Sequence, residues 1–321
     1  MSLQNSFPAV QNQILLCPLC GTEGSRPWIK APDRFHGRKE VFNLVRCPTC
    51  SIVWLQDPPK PAEMAYHYGL DYHQLISSSG ETAVAAKWRT PRERVLKMVR
   101  GGAVLDLGCS SGGFLQSLKN ENLKLYGIEI SPEEAQRATK NSGAQVFVGE
   151  ILDADFPPES FDVVTCFHVL EHVYDPKEVL RKVRCWLKPG GVFYLLIPNI
   201  EALEVSLFHS YWYGLELPRH LYHYSPASLR RLFALLNYQE VFVRQQSDCY
   251  VEKSSRYVID ELLSRMGISR ISLAGDHNGS SIAWRIIRKA FRLGVLLPFR
   301  HIAAASGHGA GIEAAFRKSV P

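Results

Sequence analysis

The sequence predicts an α/β chain: a doubly wound, mostly parallel sheet with its last strand antiparallel, preceded by a small cysteine-bearing module. Three observations carry this expectation. Between residues 103 and 246, short apolar runs alternate with helical patterns, as βαβ units of a parallel sheet require. The first run, AVLDL at 103–107, leads straight into a glycine-rich turn, GCSSGGF, and the next run ends in Glu129, 23 residues after Asp106. Ahead of both stand two CPxC knuckles, Cys17/Cys20 and Cys47/Cys50.

Size and charge narrow the classes. A chain of 321 residues with 46% hydrophobic content can bury a large core, and a net charge of +6 permits anionic partners without demanding nucleic acid. No apolar run is long enough to predict a membrane-spanning helix. The N-terminus, MSLQNSFPAVQNQ, lacks the basic and apolar regions of a secretory signal, so a cytoplasmic protein with reduced cysteines is expected. Four of the eight cysteines, Cys109, Cys166, Cys185 and Cys249, are scattered among apolar residues and read as small buried hydrophobes.

The other four form the pattern C-x2-C-x26-C-x2-C. Each knuckle directs two thiolates to one point, and two knuckles complete a tetrahedron around a structural Zn2+ with no open position for substrate. The long spacer calls for a hairpin or loop, and EVFNLVRC supplies a strand into the second knuckle. The module is expected to occupy residues 1–57, its ligands lying within 14–57. A linker and helical cover follow at 58–100, starting with the proline-rich DPPKPAE and the aromatic MAYHYGLDYHQL, and the α/β domain occupies 101–321.

Within that domain KLYGIEIS, AQVFVG, FDVVTCF and VFYLLIPN read as strands two to five. DPKEVLRKVRCWL is an amphipathic helix with Asp175 as N-cap, Pro176 at its first position and KPGG as terminator. YQEVFVRQQ reads as strand six, and GAGIEAAFRKS as strand seven returning antiparallel. The turn lacks the G-x-G-x-x-G spacing of a dinucleotide site. Asp106, at its mouth, suits a cation better than a pyrophosphate. S-adenosylmethionine carries an ammonium and a sulfonium, and its ribose diol matches a strand-end carboxylate such as Glu129.

VLDLGCSSGGF, GIEIS, FPPESFDVVTCFHVLEHVYDP and LKPGGVFYLLIPN, in that order, resemble the successive motifs of class I S-adenosylmethionine-dependent methyltransferases, over about residues 90–245. The resemblance implies a Rossmann-like methyltransferase sheet. It also implies that Asp106, Gly108, Cys109, Ser110 and Gly112 line the methionine end of the cofactor, with Ser110 standing where the middle glycine is usual. Glu129 would hold the ribose, Ile130 would pack on adenine, Glu150 and Ile151 would lie at the adenine edge, and Phe167 and His168 would approach the methionine moiety. Together with the four-cysteine module, the pattern resembles bacterial methyltransferases acting on sugars, lipid-linked molecules or natural products. A looser likeness to zinc-bearing ribosomal-RNA methyltransferases keeps RNA as an alternative acceptor. A non-catalytic S-adenosylmethionine-binding protein is a third reading.

Methyl transfer from a sulfonium needs alignment above all, and a base where the acceptor is a hydroxyl or an acidic carbon. His168 is one candidate. His172, with Glu171 beside it, is a second candidate, weighed against a capping or packing role. The stretch LPRHLYHYSP at 217–226 leads, in extended form, to a helix capped by Ser225 with Pro226 at its first position. Alternation there puts His220, Tyr222 and Tyr224 on one side and Arg219, Leu221 and His223 on the other. His220 is thus a base candidate, Tyr222 a substrate contact and His223 a structural residue. Between strands six and seven, an insertion at about 250–308 contains SIAWRIIRKAFRLGVLL. Its periodicity predicts a basic amphipathic helix over 281–297, which either packs on the core or touches an anionic membrane surface.

Overall fold

The computed structural model describes residues 16–69, 81–246, 250–266, 294 and 296–319. Two sheets organise it. The larger has seven strands: β4 (Gly102–Leu107), β5 (Leu123–Glu129), β6 (Gln145–Val148), β7 (Phe161–Phe167), β8 (Leu187–Pro198), β10 (Tyr238–Gln246) and β11 (Gly311–Lys318). Their spatial order is β10-β11-β8-β7-β4-β5-β6, and β11 runs antiparallel to both neighbours. The expected strands and the antiparallel return are all found.

The order reverses at β4, which pairs in parallel with β5 on one side and β7 on the other. A crevice opens beyond the carboxyl ends of strands at such a reversal, and ligands of open α/β sheets bind there. Asp106 at the end of β4 and His168 just after β7 both fall at this place.

The central strands read as continuous apolar runs because both their faces are covered. Phe193, Tyr194 and Leu195 of β8 are fully buried, each such side chain stabilising the fold by about 1.5–3 kcal/mol. The flanking helices are α2 (Glu81–Met98), α3 (Gly113–Ser117), α4 (Pro132–Ser142), α5 (Pro176–Trp186) and α7 (Pro226–Leu235), with α1 (Pro61–Tyr68) ahead of them. Asp175 and Ser225 cap α5 and α7 as expected, each followed by proline. KPGG does not end α5. That helix stops at Trp186, where Leu187 turns extended, and residues 187–191 open β8 beside a register shift between Phe161 and Val163.

The smaller sheet has the order β1-β2-β3-β9. The β1 (Arg26–Pro32) and β2 (Val41–Arg46) hairpin fills the spacer between the knuckles, and β3 (Val53–Leu55) follows the second one. Its fourth strand, β9 (Tyr222–His223), comes from the distant LPRHLYHYSP stretch. Cys17, Val45 and Ile52 of the module share one hydrophobic cluster with Phe193, Tyr224 and Phe233. The module and the large sheet are therefore packed through a common core.

Of the four scattered cysteines, Cys109 and Cys166 are buried, but Cys185 is exposed. On α5 the residues Val179, Leu180, Val183 and Trp186 face the core, which leaves Cys185 on the outer face. Cys249 lies outside the described residues, as does most of the helix expected over 281–297. After β8 come α6 (Leu203–Phe208), and, beyond β10, α8 (Val251–Arg265) and α9 (Leu297–Ala305). Among the described residues, no helix is long and apolar enough to cross a membrane.

Candidate active site and metal centre

The glycine turn begins where β4 ends. Gly108 and Gly112 both have left-handed backbones, φ 63° and 79°, which glycine adopts without steric cost. Each is also tightly enclosed. A Cβ on Gly108 would sit 2.5 Å from Val169 Cγ2, and one on Gly112 would sit 2.7 Å from Ala138 Cα. The turn thus presses directly against the segment that follows β7. Ser110 adopts φ 47°, so it takes the left-handed conformation that a glycine would hold more cheaply.

Two carboxylates flank this turn. Asp106 is buried, its Oδ1 accepting from Thr165 Oγ1 at 2.7 Å. Burial raises its pKa to about 7, with Glu129 adding to the rise and Thr165 opposing it. Glu129 accepts from the backbone N–H of Ser110 at 2.8 Å and of Ser131 at 2.9 Å. It clamps the glycine turn to the start of α4 while standing at the end of β5. Ile130, the next residue, is 59% exposed, an apolar surface open to a flat ring. Glu150 follows β6, the strand that pairs with β5, and its pKa is raised by burial and by Asp153.

These residues fit S-adenosylmethionine: a buried carboxylate for a cation, a strand-end carboxylate for a diol, and an uncovered apolar platform. Three expected positions differ in detail. The Cys109 side chain packs inward, where a Cβ on Gly127 would lie 2.6 Å from its Sγ, so only its backbone borders the turn. Ile151 belongs to the buried core cluster with Leu107 and Ile128. Phe167 sits in an aromatic group with Trp88, Phe114 and Tyr194, at ring distances of 4.8–5.4 Å.

Beyond β7 the chain places His168 with φ 58°, its N–H donating to Leu196 O. The ring is 3.5 Å from Glu171 Oε1, longer than a normal hydrogen bond. Glu171 is 1% exposed. Both its carboxylate oxygens lack a hydrogen-bond partner among the described residues. Burial works to raise its pKa, yet the neighbouring His168, His172 and His220 hold it down at about 2. The backbone oxygen of Glu171 accepts from the N–H groups of Leu221 and Tyr222, which sews this segment to LPRHLYHYSP.

That seam gathers the histidines. The rings of His172 and His220 are 4.6 Å apart, and those of His220 and His223 are 5.9 Å apart. Burial and the nearby His220 lower the His172 pKa to about 4, and burial lowers that of His223 well below its ordinary value. His172 Nδ1 lies 3.1 Å from Arg219 O and 3.1 Å from Tyr68 Oη. His220 Nδ1 lies 2.9 Å from Gly214 O.

Alternation fails here as a guide to facing. The extended segment covers only 222–223, and residues 219–220 still belong to the preceding turn, where His220 N bonds to Glu216 O. So His220 joins His172 and lies near His223, rather than sharing a face with Tyr222. Tyr222 donates from its hydroxyl to Tyr174 O. With Tyr174, Pro18 and Asp175 it lines a cleft of about 280 Å3 between the first knuckle and α5. His172, weighed both as a base and as a packing or capping residue, stands at the centre of the cluster. Its sequence signal was the HxxEH spacing of residues 168–172 directly after a strand at the cofactor end.

The four knuckle cysteines converge, with one Sγ of each within 4.8 Å of the others. Cys17 and Cys50 are 3.5 Å apart, and Cys20 and Cys47 are 3.6 Å apart. A tetrahedron with Zn–S bonds of about 2.3 Å has sulfur edges of roughly 3.8 Å, so the set fits zinc. The Cys50 contact lowers the Cys17 thiol to about 5, and the same contact raises that of Cys50. Burial raises the Cys47 thiol, and the N–H groups of Cys50 and Thr49, 3.4 Å from its Sγ, oppose that rise.

Comparison with known proteins agrees with this geometry. A family model described as a methyltransferase domain matches residues 81–241. A ubiquinone biosynthesis O-methyltransferase of Xanthomonas euvesicatoria pv. vesicatoria (strain 85-10) is 34% identical over 132 residues, covering 39% of this chain and 55% of that protein. One from Klebsiella pneumoniae (strain 342) is 38% identical over 104 residues, covering 30% and 43%. The chain spans about half the length of the curated relatives it matches. A SAM-dependent methyltransferase from Archaeoglobus fulgidus shares the fold with TM-score 0.52 and 17% identity, over 77% of this chain and 100% of that one. The family match takes in half of the chain, from α2 through the switch point to β10. The protein therefore belongs to the class I methyltransferase-domain family.

Proposed function

We propose that the protein transfers the methyl group of S-adenosylmethionine to an oxygen of a small-molecule or lipid-linked acceptor. The observation that carries this reading is the Glu171–His172–His220 cluster, set at the carboxyl end of β7 where the glycine turn presses on Val169. An amine acceptor needs little help with its proton, whereas a hydroxyl must lose one. A buried carboxylate and two imidazoles suit that task. The O-methyltransferase names of the relatives point the same way.

Bound S-adenosylmethionine supplies an electrophilic methyl on a sulfonium. In this reading Asp106 receives the ammonium group, Glu129 the ribose diol, and Ile130 one face of the adenine, with Glu150 at its edge. Backbone groups of Gly108, Cys109, Ser110 and Gly112 line the methionine end, and Phe167 closes its apolar side. His168, His172, Glu171 and His220 orient and activate the acceptor hydroxyl. Tyr222 serves the cleft beside the cysteine module rather than the reacting atoms. The four cysteines hold a structural zinc that shapes the small sheet, and through β9 that sheet supports the segment carrying His220.

The test is turnover of methyl-labelled S-adenosylmethionine with a panel of hydroxylated, amino and lipid-linked acceptors. Label is expected on oxygen. His220→Ala should lower turnover at least about 10-fold while cofactor affinity holds, and label found only on amines would refute the reading.

A further inference from the structure

We infer that the cleft between the first knuckle and α5 is a binding site for an α-amino acid with an aromatic side chain, separate from the methyl-transfer site. The cleft measures about 280 Å3. Small-molecule sites start at roughly 300 Å3, so it suits a ligand of amino-acid size. None of its lining residues belongs to the glycine turn or to the histidine cluster. Three distant parts of the chain build it: Leu19 of the knuckle, Tyr222 of β9, and Asp175, Lys177 and Arg181 of α5 and its cap.

Part of the lining is apolar and held fast. Leu19 and Ile52 are buried and belong to the common core. Tyr222 supplies an aromatic wall. Its hydroxyl donates to Tyr174 O at 3.1 Å, and Tyr174 Oη donates to Pro59 O at 2.7 Å, so the wall is pinned at its polar end. The Tyr222 ring lies 6.3 Å from that of Tyr224, tilted by 31°. A flat ring gains area burial and offset or edge contacts against such a wall.

The polar part of the lining carries both signs. Lys177 has no carboxylate partner among the described residues. Arg181 is paired with the exposed Glu178 at 2.9 Å, a contact worth little in water. The amino end of α5 adds the positive end of its dipole. These groups favour a carboxylate. Asp175 disfavours a simple anion. Its Oδ1 accepts from the N–H of Glu178 at 2.9 Å. Burial and the Asp175 charge together raise the Tyr222 hydroxyl to about 12, so that charge stands against the aromatic wall. An ammonium group answers it. A molecule with an ammonium and a carboxylate on one carbon, and a ring beyond it, matches the whole lining. A plain anion, cation or hydrocarbon matches only part. A ligand held there touches the knuckle, β9 and α5 at once, so its binding stabilises the docked module.

The probe is L-phenylalanine, titrated calorimetrically into full-length protein with its knuckle zinc in place. The protein is saturated with S-adenosylhomocysteine, which closes the cofactor's own amino acid pocket. One molecule per chain is expected, with a rise in melting temperature. Phenethylamine lacks the carboxylate and 3-phenylpropionate lacks the ammonium, and each should bind at least about 10-fold more weakly. Lys177→Gln and Asp175→Asn should weaken L-phenylalanine binding by the same factor. Asparagine still caps a helix, so the second variant loses the charge and keeps the cap. No binding of L-phenylalanine by the folded wild-type protein overturns the proposal. So does equal binding of the two single-charge analogues, or full binding by either folded variant. Binding that S-adenosylhomocysteine displaces would overturn it too, since the amino acid would then sit at the glycine turn. Methyl transfer rests on other residues, so each of these results leaves the proposed function standing.

Discussion

Arg219 and Asp33 form a fully buried, two-pronged ion pair, with Nη1 3.2 Å from Oδ2 and Nη2 3.0 Å from Oδ1, although 186 positions separate them in the chain. Asp33 closes the turn after β1 in the cysteine module, and Arg219 carries the carbonyl that orients His172. The pair thus links the module to the histidine cluster. Arg219 also donates to His67 O at 2.7 Å, which brings α1 into the same joint. Breaking a buried pair from one side leaves an uncompensated charge, at a cost of about 3–5 kcal/mol. Asp33→Asn is expected to lower unfolding free energy by about 3 kcal/mol in denaturant titration. It should also reduce kcat more than cofactor affinity, because Asp33 is tied to the histidine segment and not to the glycine turn.

The joint also marks what the sequence could and could not disclose. The seven strands were legible because each is a local apolar run, and the turn after β4 because its glycines sit between a strand and a helix. The knuckles were legible from spacing alone. Asp33–Arg219, Tyr68–His172 and β3–β9 were not, since each joins residues more than a hundred positions apart and no local periodicity encodes such pairs. For the same reason the sequence left His172 open between a base and a packing residue. Its role depends on Arg219 and His220, which reach it only after the β8–α7 connection folds back. Alternation misplaced His220 because the rule holds inside a strand, and the strand starts two residues later.

Ser110 offers a stability test with a definite sign. At φ 47° its Cβ opposes the conformation by about 1 kcal/mol, and glycine would relieve that. Ser110→Gly should raise the melting temperature by about 2 °C in calorimetry. S-adenosylmethionine affinity should hold within about 3-fold, because the turn already adopts the backbone that glycine prefers. A loss beyond 10-fold, roughly, would assign the Ser110 hydroxyl a direct role at the cofactor.

Zinc at the knuckles makes a second kind of prediction. Metal analysis should find about one zinc per chain bound by Cys17, Cys20, Cys47 and Cys50. Cys20→Ser replaces the ligand that is only half-buried, so packing changes least there. The variant should lose zinc, lower the melting temperature and expose the hydrophobic face of the small sheet to a fluorescent dye. Because Val53 and Trp54 of β3 pair with His223 and Tyr222, turnover should fall with the zinc even though no cysteine faces the cofactor turn. A zinc-free protein with an unchanged melting temperature and four freely reactive thiols would contradict this.

If Asp106 receives the cofactor's ammonium group as proposed, binding depends on pH. Its pKa rises from 3.8 to about 7 because burial penalises the charged form. In the absence of cofactor this contribution to folding is complete below pH 3.8 and is lost as pH rises through about 7. Binding has the opposite sign. A cationic amino acid moiety prefers the carboxylate, so its arrival deprotonates Asp106, and affinity must grow with pH until the free protein is itself ionised. Titration calorimetry should therefore show S-adenosylmethionine binding roughly 10-fold more tightly at about pH 8 than at about pH 6. The proton released per mole bound should approach one at the lower pH. Asp106→Asn should bind weakly and without this slope. An equal slope in the variant would move the titrating group elsewhere and leave Asp106 as a hydrogen-bond partner of Thr165 alone.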